Sequence, residues 1–162
     1  MHVIYKALAT SLIMLTPAGM AKTGVDRMEA RGTFEVTVKP AEATAFERAM
    51  GASRYELVKD WNGDFVGTSK GEMLSSLTES SGAMAYVAME EVTGKLSGKH
   101  GSFYFAHRAT MTKGEAASGE MHIVVVKGSG TEDLVGLSGD LTIIIDSAGK
   151  HSYVFDYELP SK

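Results

Sequence analysis

Apolar and polar residues alternate with a period of two along most of the chain after Arg31. This period is typical of strands with one buried face, whereas a surface helix repeats about every 3.6 residues. The pattern predicts eight strands, over residues 33–38, 54–61, 64–74, 83–93, 95–111, 119–126, 134–146 and 151–159. Almost no helix is expected beside them.

Turn and breaker residues separate the predicted strands. Pro40 ends the first, and residues 41–52 contain the only run of good helix formers, so a helical turn or loop is expected there. Asn62-Gly63 is a strong hairpin signal. The long segment 95–111 is expected to bend at Gly98 or Gly101.

Eight consecutive strands with short turns predict a single all-β domain, a small eight-stranded antiparallel β-barrel. Closure of the sheet removes the exposed edges that an open sheet would leave. A two-sheet sandwich is the structural alternative. Glycines within predicted strands favour the barrel because tight coiling needs bends and bulges: Gly67, Gly71, Gly136 and Gly139.

The first 21 residues have the pattern of a secretory signal peptide. Lys6 is followed by the uncharged, mostly apolar run 7–16, by Pro17, and by the small residues Gly19 and Ala21 before an expected cleavage site. The run is about half of the roughly 20 residues that a spanning helix needs. We therefore expect export to the periplasm or medium, with no stable membrane insertion after cleavage. A buried N-terminal helix is the alternative.

Composition excludes several kinds of site. The chain has no cysteine, hence no disulfide, thiolate zinc site or lipid-anchoring Cys. Its net charge of −4 shows no basic footprint for nucleic acid. The five histidines lack metal-ligand spacing, so neither a metal nor a cofactor is expected. Gly128-x-Gly130 precedes no predicted helix and is interpreted as a hairpin loop rather than a phosphate site.

Four strand faces are expected to point into the barrel. They are the odd-numbered residues from 103 to 111 and from 151 to 159, and the even-numbered ones from 84 to 90 and from 34 to 38. An apolar lumen with a few polar groups is the usual form of a small-molecule site. The candidate ligand-binding residues are Phe103, Phe105, His107, Tyr86, Glu90, Tyr153 and Tyr157, with His151 also on an inward face.

Glu90 and His107 are the candidate catalytic pair, because a buried carboxylate beside an imidazole is able to move a proton. The alternative is structural: both are satisfied by Tyr hydroxyls or backbone groups at the barrel end. The alternation does not decide which way the face of Glu72 points.

Several phrases resemble the DUF3224 family. They include residues 67–73 (GTSKGEM), 86–90 (YVAME), 94–103 (GKLSGKHGSF), 128–131 with 134–139, and 151–153 with Asp156-Tyr157. The resemblance spans about residues 30–159 and defines a domain at 30–160. It implies a barrel similar to allene oxide cyclase and to lipocalins, and no common activity. Glu91 departs from the basic residue expected after Glu90.

Three functional hypotheses follow. The first is an exported barrel that binds a small apolar or amphipathic molecule in its lumen. The second is a cofactor-independent cyclase or isomerase, which rests on analogy of fold. The third is a solid structural or interaction module that forms a homodimer through outer strand faces, suggested by the apolar run Ile143-Ile144-Ile145.

Overall fold

The protein is a closed antiparallel barrel of eight strands. The computed structural model describes residues 27–113 and 115–160, and only the backbone of 115–118. The predicted signal peptide, residues 1–21, lies outside the described residues. The strands are β1 (Arg27–Ala41), β2 (Ala52–Gly63), β3 (Phe65–Thr78), β4 (Ala83–Leu96), β5 (Lys99–Thr112), β6 (Glu115–Val125), β7 (Ser138–Ile145) and β8 (His151–Glu158).

Each strand pairs with the next along the chain, and β1 pairs with β8 to close the barrel. The closing ladder runs from Arg27 opposite Glu158 to Phe34 opposite His151. The predicted barrel is therefore confirmed, and the sandwich alternative is wrong. Closure gives the edge strands β1 and β8 a hydrogen-bonding partner. Because the chain has no cysteine, this pairing stabilises the small sheet without the help of a disulfide.

The strand between residues 95 and 111 was predicted wrongly as one bent strand. Ser97 and Gly98 both have positive φ, of 46° and 90°, and form a two-residue hairpin turn between paired Leu96 and Lys99. Positive φ at both central residues matches the right-handed twist of the flanking strands. The turn therefore divides the segment between β4 and β5.

The connection between β6 and β7 also differs from the sequence expectation. A 3₁₀ turn spans Glu132–Leu134, and β7 begins only at Ser138, so Gly136 lies outside any strand. Leu134 and Leu137 of this connection are buried and cover one end of the barrel. We call this end the closed end.

The connection covers the closed end by pairing with β5. Thr131 donates its backbone N–H to Ser102 O at 2.9 Å, and the Ser102 N–H donates to the Thr131 hydroxyl at 2.8 Å. A side chain on Gly101 would meet Thr131 O at 2.4 Å, so only glycine permits this approach.

The α-helix α1 (Ala45–Ala49) confirms the predicted helical turn between β1 and β2. Thr44 and Glu47 form a reciprocal capping box that satisfies two backbone donors at its N-terminus. The helix has no buried residue and lies outside the barrel against β2.

Candidate functional site

The four predicted inward stripes do face the lumen, but they meet two different environments. Toward the closed end, aromatic rings fill the interior. Phe103 and Phe105 lie 4.9 Å apart between ring centroids, and Phe105 and Phe155 lie 5.5 Å apart. All three are buried. Phe105 packs edge-on against the other two rings, and Phe103 and Phe155 are stacked with centroids 6.1 Å apart, which leaves this half of the lumen solid.

The two buried tyrosines of β8 use their hydroxyls within this solid half. The Tyr153 hydroxyl accepts the Phe65 backbone N–H at 2.9 Å, and the Tyr157 hydroxyl donates to Ser97 Oγ at 3.2 Å. Gly32 leaves room for the Tyr153 hydroxyl, which a side chain there would meet at 2.6 Å. Both tyrosines therefore hold the closed end together in this structure.

A buried charged cluster lies above the aromatic layer. Lys59 Nζ lies 2.7 Å from Glu90 Oε2, and the side chains of Lys59 and Glu90 are 6% and 0% exposed. The Ser69 hydroxyl donates to Glu90 Oε1 and accepts the Trp61 indole N–H at 2.9 Å. We call Lys59, Glu90, Ser69, Trp61 and His107 the floor cluster.

Strand register explains how residues far apart in sequence meet here. Lys59 of β2 lies opposite Ser69 of β3, and Gly71 of β3 lies opposite Glu90 of β4. A Cβ on Gly71 would meet Met89 O at 2.2 Å, so the glycine permits the close approach of β3 to β4. Lys59 and Ser69 then reach Glu90 from neighbouring strands.

Lys59 is further held by two aromatic faces. Its Nζ lies 5.0 Å from the ring centroids of both Phe34 and Trp61. Cation–π attraction stabilises a desolvated ammonium. The ammonium thus has a carboxylate on one side and the aromatic half on the other.

His107 completes the floor cluster, but its buried Nε2 atom is poorly oriented for a hydrogen bond. Its Nε2 lies 2.9 Å from Glu90 Oε2, yet it makes no well-directed hydrogen bond to any described residue. The distance permits a charge–dipole contact, whereas the ring orientation turns the N–H away from the oxygen. The imidazole is buried, at 7% exposed.

The floor cluster keeps Glu90 ionised. Burial alone raises the pKa of Glu90, but the contact with His107, the charge and hydrogen bond of Lys59, and the Ser69 hydrogen bond together lower it to about 2. A carboxylate with so low a pKa is a weak proton acceptor at neutral pH. Lys59 and Glu90 also cancel each other's charge.

The other half of the lumen is open, and we call it the mouth. Its inward side chains are aliphatic and methionine residues that are only half-buried: Val36, Met73, Leu77, Met84, Met111 and Ile143. Tyr86 is the inward residue of β4 two positions above Ala88, opposite Ala109 of β5. Burial and the nearby charge of Glu90 raise the pKa of the Tyr86 phenol.

The wall of the mouth is incomplete between β6 and β7. These strands share a single paired position among the described residues, Val124 with Asp140. A continued antiparallel ladder would place Met121 opposite Ile143 and Gly119 opposite Ile145. Instead, a cavity of about 380 Å³ lies there, lined by Ala109, Met111, Gly119, Glu120, Met121, Ile143, Ile145 and Asp146.

A second cavity, of about 450 Å³, lies on the outer face of the barrel. It is bordered by α1 and by outward side chains of β2 to β4, including Val87 and Met89. Arg54 and Glu72 form an ion pair of 2.7 Å at its edge, which places the face of Glu72 outside. Glu91, which replaces the basic residue expected after Glu90, lies on the same outer face. Its Oε2 atom is 3.2 Å from Lys70 Nζ.

Two kinds of feature are absent from the part of the chain that the structure describes. No three His, Asp or Glu residues cluster closely enough to hold a metal ion within residues 27–113 and 115–160. Across the same residues, no helix has the length and apolar character needed to cross a membrane.

The sequence model of the family described as "Protein of unknown function (DUF3224)" matches residues 30–157. The chain belongs to the DUF3224 family. A solved structure of a DUF3224-family protein of unknown function, from Shewanella oneidensis MR-1, is 35% identical with a TM-score of 0.74. The alignment covers 85% of this chain and 100% of that one. Among curated proteins, none matches.

The structure sorts the predicted site residues of this DUF3224 protein into three layers. Phe103, Phe105, Tyr153 and Tyr157 lie in the solid half, Glu90 and His107 lie in the floor cluster, and Tyr86 lies in the mouth. His151 also faces the mouth, 5.1 Å from the Phe34 ring.

Sequence reasoning missed three members of the floor cluster, Lys59, Ser69 and Trp61. The signal for Lys59 was present, since it shares a strand face with Leu57 and Trp61. A lysine on an otherwise apolar inward face requires a buried partner. The structural alternative for Glu90 named the wrong partners, because Lys59 and Ser69 bind it rather than tyrosines or backbone.

Proposed function

We propose that this protein binds a small, predominantly apolar molecule in the mouth of its barrel. The observation that carries the proposal is the 380 Å³ cavity where β6 and β7 separate. Its volume falls within the range of about 300 to 1,000 Å³ that is usual for ligand pockets. Ala109, Met111, Met121 and the isoleucines provide an apolar lining.

The methionines suit a site that accepts more than one shape. Unbranched, polarisable side chains adjust to irregular ligands at low cost. Met111 and Met121 line the cavity, and Met73 and Met84 lie elsewhere in the mouth. The rigid aromatic half and the floor cluster would provide a fixed base beneath this adaptable region.

Export remains part of the proposal. The pattern of residues 1–21 supports a cleaved signal peptide, and so a role for the barrel in the periplasm or medium. Mass spectrometry of the protein recovered from the producing cell tests this. A mature chain that starts near residue 22 is expected, and a chain retaining residues 1–21 in the cytoplasm contradicts it.

A pair of bulky substitutions on β6 tests ligand binding. Met121 faces the lumen and Val124 faces outward, and they are almost equally exposed, at 39% and 40%. Met121→Trp is expected to fill the cavity and to weaken binding of a neutral apolar dye, phenylnaphthylamine, by at least about tenfold. Fluorescence titration measures the affinity.

Val124→Trp is the matched control and is expected to bind the dye as the wild type does. Thermal unfolding checks that both variants fold. Failure of the wild-type barrel to bind the dye or any member of an apolar ligand screen would refute the proposal. So would equal dye binding by the two variants.

The cyclase or isomerase hypothesis has less support at this site. Glu90 is engaged by Lys59, Ser69 and His107 and is a weak base, which suits a fixed electrostatic role better than proton abstraction. Homodimerisation through the outer face remains a prediction. Ile144 on this face is 49% exposed, and sedimentation at high concentration would test the prediction.

A further inference from the structure

We propose that the mouth cavity selects uncharged ligands that carry one oxygen acceptor, and that Tyr86 is the residue that binds this acceptor. The inference rests on the proposed function and specifies its ligand class. It follows from the position of Tyr86, from the charges around the cavity, and from the pairing of the floor cluster.

Tyr86 supplies a free donor on the strand next to the one that carries the cavity-lining residues Ala109 and Met111. On β4 it lies opposite Ala109, which lines the cavity, and Ala109 in turn lies opposite Met121. The phenol is half-buried, and its hydroxyl makes no hydrogen bond to any residue within the described part of the chain. A half-buried donor of this kind gains a partner when a ligand brings a carbonyl or ether oxygen.

The polar groups of the floor cluster below the mouth are already engaged. Lys59 and Ser69 bind Glu90, and the Nε2 atom of His107 is buried against the same carboxylate. Reaching any of them would require the floor cluster to open. Tyr86 is therefore a donor that a ligand reaches without opening the floor cluster.

The charges around the cavity oppose an anionic ligand. Its lining includes the carboxylates of Glu120 and Asp146 and no lysine or arginine. Below it, the charge of Glu90 is matched by that of Lys59, so no unpaired cation is present to compensate a ligand carboxylate. An anion there would be desolvated beside like charges, which is unfavourable.

The rim carboxylates do not make the cavity a cation site. Asp146 Oδ1 accepts the backbone N–H groups of Ala148 and Lys150, each at 2.9 Å. Glu120 Oε1 lies 3.4 Å from His122 Nε2. Both carboxylates have local partners, so the ligand class that matches the Tyr86 hydroxyl is neutral.

Four probes with the same eleven-carbon skeleton test this class: undecane, methyl nonyl ketone, undecanoate and undecylamine. Each competes with phenylnaphthylamine on the mature wild-type protein at neutral pH. The ketone is expected to bind about three- to tenfold more tightly than undecane, the range of one net hydrogen bond. Undecanoate is expected to bind more weakly than undecane.

Tyr86→Phe removes the hydroxyl and keeps the ring. It is expected to abolish the advantage of the ketone over undecane. Tyr104→Phe removes a hydroxyl from the exposed outer face of β5 and is expected to leave all affinities unchanged. The pair separates a binding role from a general effect of losing a phenol.

The outcomes distinguish the inference from the proposed function. Dye and undecane binding without a preference for the ketone would overturn the inference alone. The same holds for tighter binding of undecanoate or undecylamine than of the ketone, or for a ketone preference that survives in Tyr86→Phe. Absence of dye binding in the wild type would overturn both.

Discussion

The two halves of the lumen are built from the same strands and differ in what their inward residues do. In the closed half, rings such as Phe105 and Phe155 are almost fully buried and interlock. In the mouth, inward residues such as Met121 and Ile145 remain 39% and 57% exposed. One half provides the stability of the barrel, and the other leaves inward apolar surface unfilled.

The floor cluster separates the two halves. A buried ion pair adds little net stability compared with apolar packing, because each charge must first be desolvated. It does require one arrangement of β2, β3 and β4, since Lys59, Ser69 and Glu90 come from these three strands. The floor cluster lies between the aromatic half and the mouth, so it marks the level at which the tightly packed part of the lumen ends.

The largest effect is expected from removing a ring in the closed half. Phe155→Ala should lower the free energy of unfolding by about 3 to 5 kcal/mol, because it deletes a buried ring and leaves a cavity. Met111→Ala in the mouth should cost only about 1 kcal/mol, since Met111 is half-buried beside an existing cavity. Urea unfolding measures both, and equal costs would contradict the division into two halves.

Acid pH should act on the floor cluster. The pKa of Glu90 is lowered from 4.5 to about 2 by folding, so its stabilising contribution is complete above about pH 4.5 and is lost as pH falls toward 2. The shift corresponds to about 3 kcal/mol, at about 1.4 kcal/mol per pH unit. The stability difference between wild type and Glu90→Gln should therefore narrow over this window.

Urea unfolding of both proteins at several pH values between neutrality and pH 2 measures the difference. Glu56→Gln, on the exposed outer face of β2, is the control and should change stability by less than about 0.5 kcal/mol at neutral pH. A difference between wild type and Glu90→Gln that stays constant with pH would contradict the ionised state assigned to Glu90.

The smallest effect is expected in the hydrogen-exchange rates of backbone amides in the folded protein. Backbone amides at residues 119–123 of β6 and 141–145 of β7 should exchange hydrogen at least about tenfold faster than amides of the β4–β5 ladder, because fewer paired contacts resist local opening. Hydrogen exchange followed by mass spectrometry measures this. Uniform protection around the barrel would show that the wall is closed.

Much of the fold could be predicted from local alternation. The inward stripes from 103 to 111 and from 151 to 159 face the lumen as expected, because a period of two directly reports which face is buried. The Ser97–Gly98 turn was missed, since a glycine within a strand pattern is also consistent with a bend. The positive φ values and the pairing of Leu96 with Lys99 identify it as a hairpin.

The site was predicted in part because its residues lie on those stripes. Glu90, His107 and Tyr86 were recognised as inward polar groups. Their partners were not, because the contact of Lys59 with Glu90 depends on the register of two ladders, which alternation does not determine. The separation of β6 from β7 was also beyond prediction, since the residue pattern of a strand does not report how many of its positions pair with a neighbour.

The single paired position between β6 and β7 has a consequence for self-association. Closure protects a barrel from aggregation by giving every strand two neighbours. Here two strand edges face each other without a continuous ladder, and one of them carries Ile143-Ile144-Ile145, a short, uncharged β-branched run of the type that stacks between chains. An occupant of the gap would shield that edge, so the opening that we propose as a ligand site would make the empty barrel the more aggregation-prone form.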